Sequence, residues 1–386
     1  MKTITGSPAR KEQFFKRPLI RAKILKAVAS NENLLISAPR RVGKSSILLD
    51  LVDAPDENYY AVFSDTEAIT SSEDFFKVIL HAILDADKIE AFGFFNHSIK
   101  EKLKKWTGRI AGISIGPVGL DITKQEKKTY FEELNEFLTD IKLEGKKILM
   151  LIDEFPITIE KIQEAHGLEA AVHFLSQNRS LRQNPVFQEK IQFVYTGSIG
   201  LFTAVKRIQA TDKINDLREI KINALSKEEA TLLITLLLKE ECNQTPSEEI
   251  INYILAKLEW WIPFYFQLMV RELADLQTNG HVITTKTVDA AFEKIIENGN
   301  IYFEHFKDRL QKVFKSPQLG KFVDEFLLAV KNNSDTDYAK ALNMAEKYDA
   351  RAELDTVIEV LKHDGYIVEE NNFYKFYSPI LKRWWK

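Results

Sequence analysis

Eight consecutive residues, Ala38-Pro39-Arg40-Arg41-Val42-Gly43-Lys44-Ser45, constrain this chain more than any other feature. They follow the short apolar run Leu34-Leu35-Ile36-Ser37, the kind of run seen in strands buried on both faces. They precede Ser46-Ile47-Leu48-Leu49-Asp50-Leu51-Val52, which opens a helix. A tight loop between a buried strand and a helix points successive backbone N–H groups inward and so holds a phosphate chain. In that setting Gly43 permits close backbone approach, Lys44 reaches the β- and γ-phosphates and offsets charge as it develops, and the Ser45 hydroxyl joins the shell of a Mg²⁺ ion. The binding set is therefore Ala38, Pro39, Arg40, Arg41, Val42, Gly43, Lys44, Ser45 and Ser46. The sequence departs from G-x-x-x-x-G-K-[ST] at Ala38, which stands where the first glycine is usual; alanine is a mild change if the backbone keeps negative φ. Arg40 and Arg41 face either the nucleotide or an adjacent subunit.

The rest of the N-terminal half alternates strands and helices. Tyr59-Tyr60-Ala61-Val62-Phe63-Ser64-Asp65, Ile148-Leu149-Met150-Leu151-Ile152-Asp153-Glu154 and Ile191-Gln192-Phe193-Val194-Tyr195-Thr196-Gly197 read as strands, with helices over about 74–86, 128–143 and 168–182. Such alternation implies a parallel sheet covered on both faces, whose ligands sit at the carboxyl ends of the strands. Asp153 is then placed to hold Mg²⁺ through water, and Glu154 to orient or deprotonate an attacking water. A hydroxyl from Thr196 or Ser198 can bond the γ-phosphate or that water; Ser198 serves equally as a helix N-cap. Asp65 and Glu67 are further strand-end acids. Arg179 and Arg182, late in a helix, are candidates to reach a neighbouring subunit's γ-phosphate as a finger.

At 386 residues the chain suits two or three domains. A formal net charge of −3 excludes a general basic coat for nucleic acid. Cys242 is the single cysteine, so no internal disulfide forms. No secretory signal is visible, and no stretch approaches the roughly 20 apolar residues of a membrane span. The expected home is the cytoplasm. Residues 98–128, glycine-containing and flanked by lysines, read as a surface hairpin inserted between core elements. From about 226 the pattern is helical to about 300, and the remainder reads as three helices and a hairpin around Glu370-Asn371-Asn372.

Taken together these residues resemble the prokaryotic AAA-type ATPases of the STAND group and their archaeal-ATPase relatives. The likeness is carried by Phe14-Phe15-Lys16-Arg17, the 38–45 loop, Leu151-Ile152-Asp153-Glu154-Phe155-Pro156, Thr196-Gly197-Ser198-Ile199-Gly200-Leu201, Asn215-Asp216-Leu217, Pro263 and His363-Asp364-Gly365-Tyr366-Ile367 with Phe376 to Trp385. It implies an α/β, P-loop NTPase αβα parallel-sheet core (1–225), a helical lid (226–300) and a C-terminal winged-helix domain (301–386). It also implies a Mg-ATP switch that passes from an ADP-locked monomer to an ATP-bound oligomer, Arg17 flanking the adenine and Pro263 belonging to a nucleotide-sensing lid segment. Trp261-Ile262 replaces the glycine usual before that proline.

Winged helices often bind DNA, but residues 301–386 hold fourteen basic and fourteen acidic residues. The tip Glu369-Glu370-Asn371-Asn372 would be repelled by phosphates. The basic end Lys382-Arg383-Trp384-Trp385-Lys386 is expected to anchor the domain on the ATPase core through its tryptophans. Protein partners or self-association on ATP binding are favoured over an initiator- or transposition-like DNA role.

Overall fold

The computed structural model describes residues 1–85, 128–143, 145–197, 200–278 and 280–386. The hairpin expected over 98–128 falls, Lys128 apart, outside the described residues, as do Ser198 and Ile199. The chain forms two compact units: residues 17–37 with 47–221, and residues 1–16 with 38–46 and 222–386.

The first unit is built on five parallel strands: β1 (Leu34–Ser37), β2 (Tyr59–Asp65), β3 (Lys147–Asp153), β4 (Ile191–Thr196) and β5 (Arg218–Lys221). They lie in the order β2-β3-β4-β1-β5. Six of the seven residues of β3 are buried and all six of β4 are, as central strands covered on both faces require. β5 escapes the sequence pattern because it is an edge strand with only Ile220 buried among charged neighbours.

Helices α1 (Pro18–Ala29), α2 (Lys44–Asp53), α3 (Ser72–Ile83), α4 (Tyr130–Asp140), α5 (Phe155–His166), α6 (Leu168–Gln183), α7 (Pro185–Gln188) and α8 (Leu201–Arg207) complete this half of the chain. Local chemistry fixes their starts. Pro18 leads α1, where a missing N–H costs nothing. The Ser71 hydroxyl caps α3, and Thr129 and Glu132 make a reciprocal capping box on α4, devices worth about 1 kcal/mol each. α3 buries Phe75, Phe76, Ile79, Leu80 and Ile83 on one stripe. Phe75 meets Phe174 edge-on at 4.8 Å and Phe155 at 5.8 Å, contacts that add about 0.5–1.5 kcal/mol each beyond burial.

In the second unit, α9 (Lys227–Cys242), α10 (Glu248–Leu258), α11 (Pro263–Thr278) and α12 (Thr285–Glu297) are followed by α13 (Gly299–Val313), α14 (Pro317–Asn332), α15 (Tyr338–Lys347) and α16 (Leu354–His363). An antiparallel hairpin, β6 (Ile367–Glu370) and β7 (Phe373–Phe376), and α17 (Pro379–Trp384) end the chain. α11 packs between α9 and α12, and α17 against α12 and α13. The N-terminal residues join this unit: Thr3 donates to Glu241 through both its N–H and its hydroxyl, at 2.6 and 2.9 Å, and Ile4 N–H donates to Gln267. The terminal tryptophans find their partners within this unit. Trp384 donates to Asn300 Oδ1 at 2.9 Å and lies on Phe303, while Trp385 packs on Tyr366 and Phe376. Cys242 is buried at the end of α9, where burial and then the Glu241 charge push its thiol up to about 11. Among the described residues no helix is long and apolar enough to cross a membrane.

Candidate nucleotide-binding site

The loop between β1 and α2 takes a conformation its sequence alone permits at few positions. Gly43 sits at φ 101°, open to glycine and hostile to other residues, and a Cβ built there would meet no atom of the described residues within 4 Å. Arg41 is also left-handed, at φ 66°. The buried Lys44 ammonium donates to the carbonyls of Ala38 (2.9 Å) and Pro39 (3.1 Å), which satisfies a cation that burial would otherwise penalise. Lys44, Ser45 and Ser46 are the first turn of α2, whose N–H groups lack intrahelical partners and favour an anion. Ala38 is buried at the start of the loop, and Val42 is buried within it. The Arg41 guanidinium lies 4.6 Å over the ring of Phe264, the residue after Pro263, so the proline-led start of α11 meets the loop. Partial burial, and then the Arg40 charge, lower the pKa of Arg41.

The sheet gathers the other candidates at the carboxyl ends of neighbouring strands. Ile152 pairs with Tyr195, so the next step sets Asp153 beside Thr196; on the other side Thr196 pairs with Ile36 of β1. Asp153 is 4 % exposed. Its Oδ1 accepts the N–H of Glu154 at 3.0 Å. Its carbonyl accepts from both the N–H and the hydroxyl of Thr66, at 3.1 and 2.9 Å. The Thr158 hydroxyl meets Thr66 Oγ1 at 2.8 Å. Thr66 and Thr158 thus pin the strand end. Sequence reasoning passed over both, because isolated threonines carry no signal until the fold stacks them.

Glu154 caps α5 from the left-handed region, φ 56° and ψ 27°. A non-glycine residue held there costs of order 1 kcal/mol, strain that collects at functional sites. Thr196 is fully buried, and among the described residues its Oγ1 has no hydrogen-bond partner. A buried hydroxyl without a partner is expensive. Gly197 follows, pressed against Pro156. Asp65 ends β2 and Glu67 lies two residues beyond it, both exposed, the Glu67 N–H bonded to Asp65 Oδ1 at 2.9 Å. Arg17 is buried as the N-cap residue of α1.

Arg182 does not fit the finger role expected of it. Its side chain is fully buried, and its Nε and Nη2 fork onto Asp216 at 2.7 and 2.9 Å, with Nη2 also donating to the Lys213 carbonyl at 2.6 Å. Freeing it would leave Asp216 unpaired and a buried charge uncompensated. Arg179 is tied likewise to Asp212. The pattern of an arginine late in a helix does not distinguish a free side chain from one locked by a loop 34 residues on.

A parallel five-stranded sheet, a strand–loop–helix phosphate motif and acids at a strand end define a P-loop NTPase-type α/β core. No protein-family model matches the sequence, and no curated protein matches it. Among solved structures the chain is similar to the Walker-type ATPase of Pyrococcus abyssi, with 18% identity, 97% of this chain and 96% of that one covered, and a TM-score of 0.64. It also matches the ORC2 protein of Aeropyrum pernix in its ADP form (9% identity, 94% and 88% covered, TM-score 0.47) and the Thermotoga maritima RuvB branch migration motor (12%, 96% and 94%, 0.41). The first likeness supports the fold over the full length; the other two are too distant to bear on it.

Proposed function

We propose that the chain binds Mg-ATP, hydrolyses it, and acts as a nucleotide-dependent switch on protein partners or on its own assembly. One observation carries the reading: Asp153, Glu154 and the Thr196 hydroxyl, which has no partner among the described residues, stand at adjacent strand ends, and β1, paired with β4, continues in sequence into Lys44 and Ser45. The Ser45 hydroxyl and the Asp153 carboxylate are hard oxygen donors. Each is the kind of oxygen that Mg²⁺ takes, one or two from the protein with several waters kept. Bound, Mg²⁺ would neutralise phosphate charge. Gly43 leaves open space for the phosphates, Lys44 transfers its ammonium from the Ala38 and Pro39 carbonyls to them, and Arg40 and Arg41 add positive charge. Glu154, aimed by its left-handed backbone, accepts a proton from the attacking water, and Thr196 orients that water or the γ-phosphate. Ser198 remains a proposed helper, Arg17 a proposed flank of the adenine, and Pro263 a proposed lid element.

The three helices and hairpin from α14 to β7 support a winged-helix reading. Its basic groups are largely engaged: Lys340 with Asp335, Lys347 with Glu325, Arg351 with Glu346, Lys362 with Glu369, Lys375 with Glu370 and Arg383 with Glu293. Such surface pairs add little stability, yet they cancel the charge that a DNA backbone requires. This favours protein contacts over an initiator-like DNA role. Light scattering with Mg-ATP, with ADP, and with ATP plus duplex DNA tests the choice. Assembly with ATP alone supports the switch, whereas assembly only with DNA overturns it.

A further inference from the structure

The phosphate loop is held at two points by the segment that follows Ile222, and it clusters with that segment rather than with the sheet. The first point is Pro39. Gly365, at φ 82°, comes so near that a Cβ there would lie 3.1 Å from Pro39 Cβ and 2.9 Å from the Trp260 ring. The second is Arg41, stacked on Phe264, whose own ring contacts Tyr265 and Tyr302. Beside them His305 has a buried Nε2 with no hydrogen-bond partner among the described residues, and burial, then the charges of Arg40 and Arg41, hold its pKa down to about 3.

We propose that Pro39 and Arg41 are the two points at which residues 222–386 sense whether the phosphate loop is filled. The inference rests on the nucleotide reading of that loop. Lys44 is bonded here to the carbonyls of Ala38 and Pro39. A phosphate chain that takes the ammonium releases the Pro39 carbonyl, and Pro39 cannot shift without disturbing Gly365, which lies against it. Arg41 faces a parallel choice: a cation–π contact at a partly exposed site is weaker than a charge-assisted hydrogen bond to phosphate. Filling the loop therefore draws Arg41 off Phe264 and loosens the start of α11. His305, relieved of the Arg41 guanidinium, then gains an anionic neighbour.

Hydrogen exchange on the full chain, without nucleotide and with Mg-ADP or Mg-ATP, tests this, with nucleotide binding measured on the same samples. In the wild type, exchange over residues 263–270 and 361–366 should change about fivefold or more on binding. In Phe264→Leu, which keeps an apolar side chain, the change over 263–270 should fall below about twofold. Arg41→Gln, at an exposed position and so independent of core folding, should do the same. The full change persisting in both variants would overturn the proposal. Nucleotide bound to the wild type without any change in exchange would overturn it alone, whereas no binding at all would overturn the nucleotide reading with it.

Discussion

Gly197 lies against Pro156 so closely that a methyl group at 197 would sit 2.5 Å from the proline Cδ and 3.5 Å from Glu154 Oε2. The end of β4 and the start of α5 are therefore fitted to one another through a missing side chain, and Glu154 is held between them. Gly197→Ala forces Pro156 and, two residues earlier, Glu154 to move. We expect a loss of about 1–3 kcal/mol in stability, the usual range for overpacking. Turnover should fall more than nucleotide affinity does. Calorimetry with steady-state kinetics checks both, and an unchanged melting temperature would contradict the packing.

Thr196→Val separates function from stability. The hydroxyl is buried and without a partner among the described residues, so an isosteric methyl should be neutral or stabilising by about 1 kcal/mol. Turnover should nonetheless drop, because the group proposed to orient water or phosphate is lost. A destabilised Thr196→Val protein with wild-type turnover would assign the hydroxyl a structural partner instead.

Arg182→Ala should destabilise strongly, by about 3–5 kcal/mol, since it strands Asp216 beside a buried void. Chemical denaturation measures this. A surface finger would show almost no stability change on truncation, so a small effect would restore the finger role.

His305 gives a pH dependence with a definite sign. Its folded pKa is held down to about 3, whereas an unfolded histidine titrates near 6.5. As pH falls below about 6.5 the unfolded chain takes up a proton that the folded one refuses, so stability declines down to about pH 3. His305→Gln should flatten that decline in acid denaturation curves; equal slopes for the two proteins would contradict the burial of a neutral ring.

Much of this architecture was legible because the motifs coincide with hydrophobic runs. β1 and β3 hold continuous apolar runs and β4 one broken only by Gln192, and the residues at their ends follow directly from where the runs stop. β5 was not legible, since an edge strand reading Arg-Glu-Ile-Lys buries one side chain. α5 was missed because its start, Phe155-Pro156, reads as the tail of the strand motif. Arg182 was misassigned for a different reason: whether an arginine is free depends on Asp216, a partner that no local pattern reveals. The hold of Phe264 and Gly365 on the loop was equally hidden, because it joins residues more than two hundred positions apart.

As proposed, Lys44 grips one nucleotide and Glu154 assists its hydrolysis. Binding of a fluorescent ATP analogue and phosphate release, measured together on wild type, Lys44→Ala and Glu154→Gln, test it most directly. Lys44→Ala should lose affinity by about 100-fold or more. Glu154→Gln should bind as the wild type does while turnover falls by about 10²–10⁴-fold. Normal affinity in Lys44→Ala, or wild-type turnover in Glu154→Gln, would contradict the account.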